Sequence, residues 1–503
     1  MEEPSKMAPR CDVKSEGAPR AAFGTKTSKQ RETVYPESPG NDNRRPGMTL
    51  LIVLTFLGVS LPCAALGGRE LSAPRLPFPE HTERTMSRTA DFVVVQGAEL
   101  PLSLGKRISH LSLIARTRGE IGPVPFQVDE IDSHGEWVLP ETPPHAGTAR
   151  ETTAEDHPSG RLDENDQLVF MIRDAGERIP AAELPADALT VEEITLKDPR
   201  DHGLAWVYLC SFPAPPPLSE ANYVRYRFAE NRVVTSGYEL GFSREVPISW
   251  DHLSFLGLPN MIDRLKLRFE VKVFGIPYRR NETHFRSDLS SYKDGPVRVI
   301  RRVRSSVQIN RLLRTPSAAS ESIYYDNAIV VPFRAQVPVS LRSLRGIISD
   351  MSTRGGACMQ NLRGWRVRVE TDPRWLLVDG KMDETEKTVR GEGASWFLLA
   401  GPPGAFLCRV ILDRYWDGSP QELPVTTDFY YVDDDLTPDP PEFVPGQSPN
   451  LGFHFHGMDE LEKGVFYFYI VGYMIKDYEP GVEQDYLDIM DQPVRRIVVS
   501  VRD

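Results

Sequence analysis

Leu265-Lys266-Leu267-Arg268-Phe269-Glu270-Val271-Lys272-Val273 places an apolar residue at every odd position and a charged one at every even position. A period of two is the mark of a strand with one dry face and one wet face. The same rule holds from Val297 to Ile309, where Arg298, Arg301, Arg302 and Arg304 interrupt the apolar residues, and in Trp365-Arg366-Val367-Arg368-Val369-Glu370. Alternation splits the arginines, with Arg298, Arg302 and Arg304 on one face and Arg301 on the other.

Outward from this centre the β signal continues. Phe92-Val93-Val94-Val95, Leu168 to Ile172, Leu204 to Phe212 and Ala405 to Leu412 are short, continuously apolar runs and read as buried strands. Pro123-Val124-Pro125-Phe126-Gln127-Val128-Asp129 carries two prolines and reads as an edge strand or extended segment. Thr426 to Val432 and Val465 to Ile475 are aromatic strands, and Arg496 to Val501 supplies another. Helix is sparse, limited to short turns near Met458–Leu461 and Val482–Met490. With 43 prolines and 37 glycines to punctuate it, the chain reads as mainly β. The expected architecture is an antiparallel β-sandwich over 218–503, preceded by a smaller β unit over 91–217.

The first 90 residues differ. Residues 1–47 are polar, with no apolar periodicity, and read as disordered. Met48 to Leu66 carries no charge and follows Arg44 and Arg45. Residues 48–67 therefore read as a signal peptide or, if uncleaved, as a membrane anchor. Residues 68–90 read as a linker. Either way the bulk of the chain is expected to be exported, to a periplasmic or extracellular place, with membrane contact only through 48–66.

The balance of 59 basic against 71 acidic residues gives a net charge of −12. That argues against nucleic acid as a partner. Cys210, Cys358 and Cys408 follow the apolar run, an odd number with no zinc spacing. No nucleophile elbow, phosphate-binding loop, dinucleotide fingerprint or zinc-protease motif is present, so no reaction is fixed by motif.

Candidate sites remain. In Leu162-Asp163-Glu164-Asn165-Asp166-Gln167, the acidic cluster reads first as a turn leading into a strand. Asp163, Asn165 and Asp166 also supply part of a calcium loop, the one cofactor this chain suggests. In Phe453-His454-Phe455-His456-Gly457 the two histidines share a strand face and could hold a metal or a sugar hydroxyl. Trp250-Asp251-His252 places an acid beside a base. Asp433-Asp434-Asp435 with Asp439 reads as a solvated acidic loop.

Three segments carry a resemblance. Pro123 to Asp129, then Leu162 to Phe170, then Asp294-Gly295-Pro296-Val297-Arg298 resemble elements of exported carbohydrate-active proteins related to exo-acting rhamnogalacturonan lyases. The match covers well under a fifth of the chain, and its motifs look like fold elements. The resemblance implies a large two-sheet supersandwich that binds or cleaves carbohydrate, with an acidic polysaccharide as partner. In a lyase an arginine neutralises the uronate carboxylate, and a base takes the adjacent proton. Arg279, Arg280 and Arg302 are the candidates for the first role, and His252, His284 and His454 for the second. The competing expectation is a non-catalytic envelope module for binding or assembly.

Overall fold

The computed structural model describes residues 83–143, 159–308, 314–315, 317–412, 415–416, 419–420, 424–436 and 448–502. The polar N-terminal stretch, the apolar run at 48–66 and Asp439 lie outside these. Among the described residues no helix is long and apolar enough to cross a membrane.

The protein is mainly β, built from antiparallel sheets stacked face to face. The central sheet has nine strands. Its middle is formed by Ala328–Val337, Gly464–Lys476 and Gly404–Leu412, paired in register along their lengths. Both faces of this sheet are covered. That is why Ala405 to Leu412, Arg409 apart, reads as a more continuously apolar run than an alternating one.

On one side lies a three-stranded sheet, Phe92–Gln96, Gln167–Met171 and Phe126–Asp129. It is a filling between two larger sheets. Val169 and Met171 pack toward Ile300, Ile323 and Val471 of the nine-stranded sheet. Leu168 and Phe170 point the other way, onto Leu113, Ile194 and Val207. All five residues of Gln167–Met171 are buried. Phe126–Asp129 lies at the edge of this sheet and Glu120–Pro123 at the edge of the next, where prolines remove no needed ladder bond.

That next sheet has five strands and joins distant parts of the chain. Arg495–Arg502 pairs with Thr190–Lys197, which pairs with Leu204–Ser211. Residues 83–90 run against it too: the Thr85 and Met86 amides donate to the Leu204 carbonyl, and Met86 and Arg88 are buried. None of the three cysteines of the described residues forms a disulfide, and burial pushes the Cys210 and Cys408 thiols up to about 12.

The opposite side of the nine-stranded sheet carries two further sheets. One has four strands, between Val224 and Phe255. The other has five, in the order Ile276–Asn281, Ile262–Val273, Ile348–Met359, Asn450–His456 and Thr426–Val432. Phe397 of the nine-stranded sheet meets Phe429 and Phe453 of this one, with ring centres 5.3 and 5.5 Å apart. Phe269 and Val271 point inward and Glu270 and Lys272 outward, as the alternation expects. Lys266 breaks the pattern, because it lies on the wet face yet is buried. The helical content is small: Met458–Glu460 is a single 3-10 turn, and Glu483–Asp491 and Glu384–Lys387 are short α-helices.

Candidate functional site

The acidic turn at 163–166 is a clasp. Asp166 is buried, and its two oxygens accept from the Ile131 and Asp163 amides, both at 2.9 Å. The Asn165 amide donates to the Ile131 and Asp132 carbonyls at 3.0 and 3.1 Å. Asp163 accepts from the Asn165 backbone N–H at 3.3 Å. Asp163, Asn165 and Asp166, the residues of the calcium expectation, face backbone donors and acceptors here. Among the described residues no three acidic, histidine or cysteine side chains are grouped to hold a metal ion.

Burial lifts the Asp166 carboxyl to about 7, with the charges of Asp163 and Glu130 adding to the rise and the two amide bonds opposing it. The unfolded chain releases this proton near its ordinary value of about 4. Between about 4 and 7 the folded protein therefore binds the extra proton. The Asp166 contribution to stability is full below about 4 and is lost as pH rises through 7. Denaturant midpoints across that window should show this fall, and Asp166→Asn should flatten it; an unchanged slope in the variant would assign the pH dependence to other groups.

The three segments that carried the resemblance meet in one buried network. Arg298 donates from Nε to Asp129 at 2.7 Å, from Nη1 to the Tyr325 hydroxyl at 2.9 Å and from Nη2 to Gln167 at 2.7 Å. Lys293 Nζ stands 2.8 Å from Asp129. Gln127 donates to both Asp129 oxygens and accepts from the Val297 and Arg298 amides. Burial alone would raise Asp129, but the Arg298 and Lys293 cations hold it below the usual carboxylate range. Gly295 admits the Gln127 side chain, whose Oε1 would lie 2.3 Å from an added Cβ. Arg298 and Asp129 are buried and partnered, with Lys293 at the margin of the network, so its role is to lock the three-stranded sheet onto the nine-stranded one.

Arg302, a candidate for carboxylate binding, is held in a neighbouring closed arrangement. It donates to Glu321 from Nε at 2.7 Å and to the Trp137 carbonyl at 2.9 Å. Arg301 points to the other face, as alternation expected, and its guanidinium lies 3.3 Å from the Phe242 ring centre. Its Nη2 reaches Asn231 at 3.4 Å and its Nε has no partner. Among the described residues no carboxylate forms an ion pair with it. An unpaired buried cation is costly, and the aromatic ring offsets part of that cost. Arg301→Met should leave stability within ~1 kcal/mol of the parent; a loss beyond ~2 kcal/mol in chemical denaturation would show that Arg301 has an anionic partner after all.

The six residues proposed for proton abstraction and carboxylate binding do not form one site. His252 lies on the four-stranded sheet, 3.8 Å from Glu239 and near Arg232. His284 is fixed by Asn281, with Nδ1 2.8 Å from Oδ1, in a one-turn 3-10 helix. Arg280 is the nearest of the arginine candidates to it; burial first, then Arg280, lowers the His284 pKa. Arg280 itself donates to the Gln308 carbonyl at 2.8 Å and stacks on Tyr278. Arg279 pairs with Glu270 at 3.0 Å on the solvent side. The acidic run at 433–435 also differs from expectation. Asp433 is buried, and one of its oxygens accepts from the Asp379 and Gly380 amides at 2.7 and 2.8 Å.

His454 is the candidate with company. The outer face of its sheet carries a row across four strands: Arg268, Arg354, His454 and Asp428 are register partners. His456 lies on the same face, its ring centre 3.8 Å from that of His454 and its Nε2 2.9 Å from Asp428. The next row is Lys266, Gly356, Gly452 and Tyr430. Tyr430 folds over the glycine pair, so that a Cβ on Gly356 would lie 2.2 Å from its hydroxyl. The Arg354 guanidinium stands 4.8 Å from the Tyr430 ring centre. Burial lowers the His454 pKa, and His456 and Arg354 lower it further against Asp428 and Glu270, which favours the neutral imidazole. The row thus sets a neutral base and a cation side by side on a partly exposed aromatic platform.

Arg354 and Tyr430 were not singled out in the sequence. Arg354 opens Arg354-Gly355-Gly356, whose weak strand signal hides it. Only strand pairing puts it opposite His454.

A separate cleft of about 450 Å3 is lined by Arg173, Tyr223, Arg225, Ser236 and Asp326, among others. None of these was expected to form a site.

No known protein-family model matches the chain, and no curated protein matches it. Among solved structures, a match is found to an alpha-mannosidase from Enterococcus faecalis V583, at 9% identity and a TM-score of 0.38. It covers 83% of this chain and 45% of that one, so the chain spans less than half the length of the mannosidase chain. Likeness at this level establishes neither a common fold nor an activity.

Proposed function

We propose that the protein is an exported carbohydrate-handling protein that takes an acidic glycan on the outer face of the sheet holding His454. The observation that carries this reading is the row Arg354, His454 and Asp428 beside the Tyr430 platform. An aromatic ring suits the apolar face of a sugar, and arginine suits a carboxylate. The resemblance of three segments to relatives of rhamnogalacturonan lyases supports the carbohydrate part, and the apolar run at 48–66 supports export.

The chemistry that fits is β-elimination from a uronate. Arg354 would neutralise the carboxylate, which acidifies the adjacent C–H. Neutral His454 would take that proton, and the electron pair would form a carbon–carbon double bond as the bond to the glycosidic oxygen breaks. The departing oxygen would take a proton from water, giving an unsaturated uronate.

Incubation with acidic and neutral polysaccharides, following unsaturated-uronate absorbance, reducing ends and binding together, tests the reading. Unsaturated ends are the expected result. His454→Gln should then lower turnover by roughly 10²–10⁴-fold, with binding retained, and Arg354→Gln should weaken both. The acid limb of the parent pH profile should fall below 6.5, because the His454 pKa is lowered from that value. Binding without turnover would keep the platform as a recognition surface and remove the lyase step. No response to any glycan would sink the carbohydrate reading.

A further inference from the structure

We propose that the cleft at Arg173, Tyr223 and Arg225 is a second binding site, for a small hydroxylated carboxylate such as a single uronic acid. It lies on the four-stranded sheet and the 326 turn, on elements other than those that carry His454. Its volume of about 450 Å3 suits a small molecule.

The cleft is built around Arg173. Its guanidinium stacks 4.1 Å from the Tyr223 ring centre, and Nη1 reaches Asp326 at 2.8 Å. Tyr223 is itself held, its hydroxyl donating to Asp174 at 2.6 Å. These contacts fix Arg173 while engaging one of its nitrogens in an ion pair, and the side chain remains 30% exposed. An arginine locked by stacking and one carboxylate has donors left in a fixed plane.

The rest of the lining shows which ligand would be complementary. The side-chain oxygens of Asp326, Thr235 and Asn222 are already engaged. Asp326 takes Arg173 on one oxygen and the Ser236 hydroxyl, at 2.9 Å, on the other. Thr235 Oγ1 accepts from the Gly237 and Tyr238 amides. The Asn222 oxygen accepts from the Val224 amide. What remains open is donors: Arg173, the Asn222 amide nitrogen and exposed Arg225. Arg227 is tied to Glu230. A cleft whose spare groups are cations and N–H donors fits an acceptor-rich anion. The planar fork of Arg173 suits a carboxylate, and the hydroxyls of a sugar acid, which a bare tetrahedral oxyanion does not offer, would meet Asn222.

The test is calorimetric titration of the full chain with D-galacturonate, with galactose and inorganic phosphate as comparisons. Galacturonate should bind and galactose should not. Arg225 is exposed and forms no close ion pair among the described residues, so Arg225→Ala should keep the fold, and affinity should fall at least tenfold. Arg173→Lys, which keeps the charge at Asp326 but loses the planar fork, should do the same. Arg354→Gln, which weakens binding at the sheet face, should leave this binding unchanged, which separates the cleft from the sheet-face site. Equal binding of galactose, tighter binding of phosphate, or affinity indifferent to both arginine variants would each overturn the assignment.

Discussion

Arg298→Met is expected to cost about 3–5 kcal/mol of folding stability, the range for breaking one member of a buried charged network. The side chain is 2% exposed and satisfies Asp129, Gln167 and Tyr325 together. Methionine fills a similar space, so the loss reports unpaired polar groups rather than a cavity. Asp129 would keep Lys293, while Gln167 and the Tyr325 hydroxyl would each lose a charged partner. Arg298→Lys should recover only part of the loss, because an ammonium cannot make the three-way fork. Urea denaturation of both variants measures this. A loss under ~1 kcal/mol for the methionine variant would mean that the network does not hold the layers together. The contrast with Arg301→Met is the sharper form of the test. The two arginines stand three residues apart in one strand, on opposite faces, one fully paired and the other without a carboxylate.

Gly97→Ala is the second large effect. An added Cβ would sit 1.7 Å from the Asp163 carbonyl oxygen and 2.8 Å from its carbon. Both are backbone atoms, so no side-chain rotation relieves the clash. Overpacking usually costs 1–3 kcal/mol, and this substitution belongs at or above ~3 kcal/mol. The Gly97 amide donates to the Asp166 carbonyl at 2.8 Å and the Ala98 amide to the Glu164 carbonyl at 2.9 Å. Pushing this segment away loosens the whole 163–166 turn. Hydrogen exchange should then quicken at the Ile131 and Asp163 amides, which Asp166 caps. A stable variant with unchanged exchange would show a pliable turn, able to reshape around a ligand.

The sequence by itself determined the fold class and the faces of individual strands. Phe269 and Val271 lie inward because a strand repeats every two residues. Arg301 parts from Arg298 and Arg302 for the same reason. The continuous apolar run at 168–172 announced a buried strand, although not which sheets cover it. The two prolines before Asp129 marked edges.

Tertiary structure decided the rest, because periodicity says which way a side chain points but not what stands opposite. Arg298 and Arg302 face the same way, yet their partners come from residues near 129, 167 and 321, which the chain brings in from far away. No local pattern marks these arginines as closed off from a ligand. Lys266 looks solvated and is buried, and Asp433 looks solvated and caps two amides. Arg354 gains meaning only when its strand lies beside that of His454. The cleft is assembled from residues 173, 222–236 and 326, which no short motif could join. A local rule fixed the strands; the pairing of strands distant in the chain fixed which charges are partnered, and therefore which remain for a ligand.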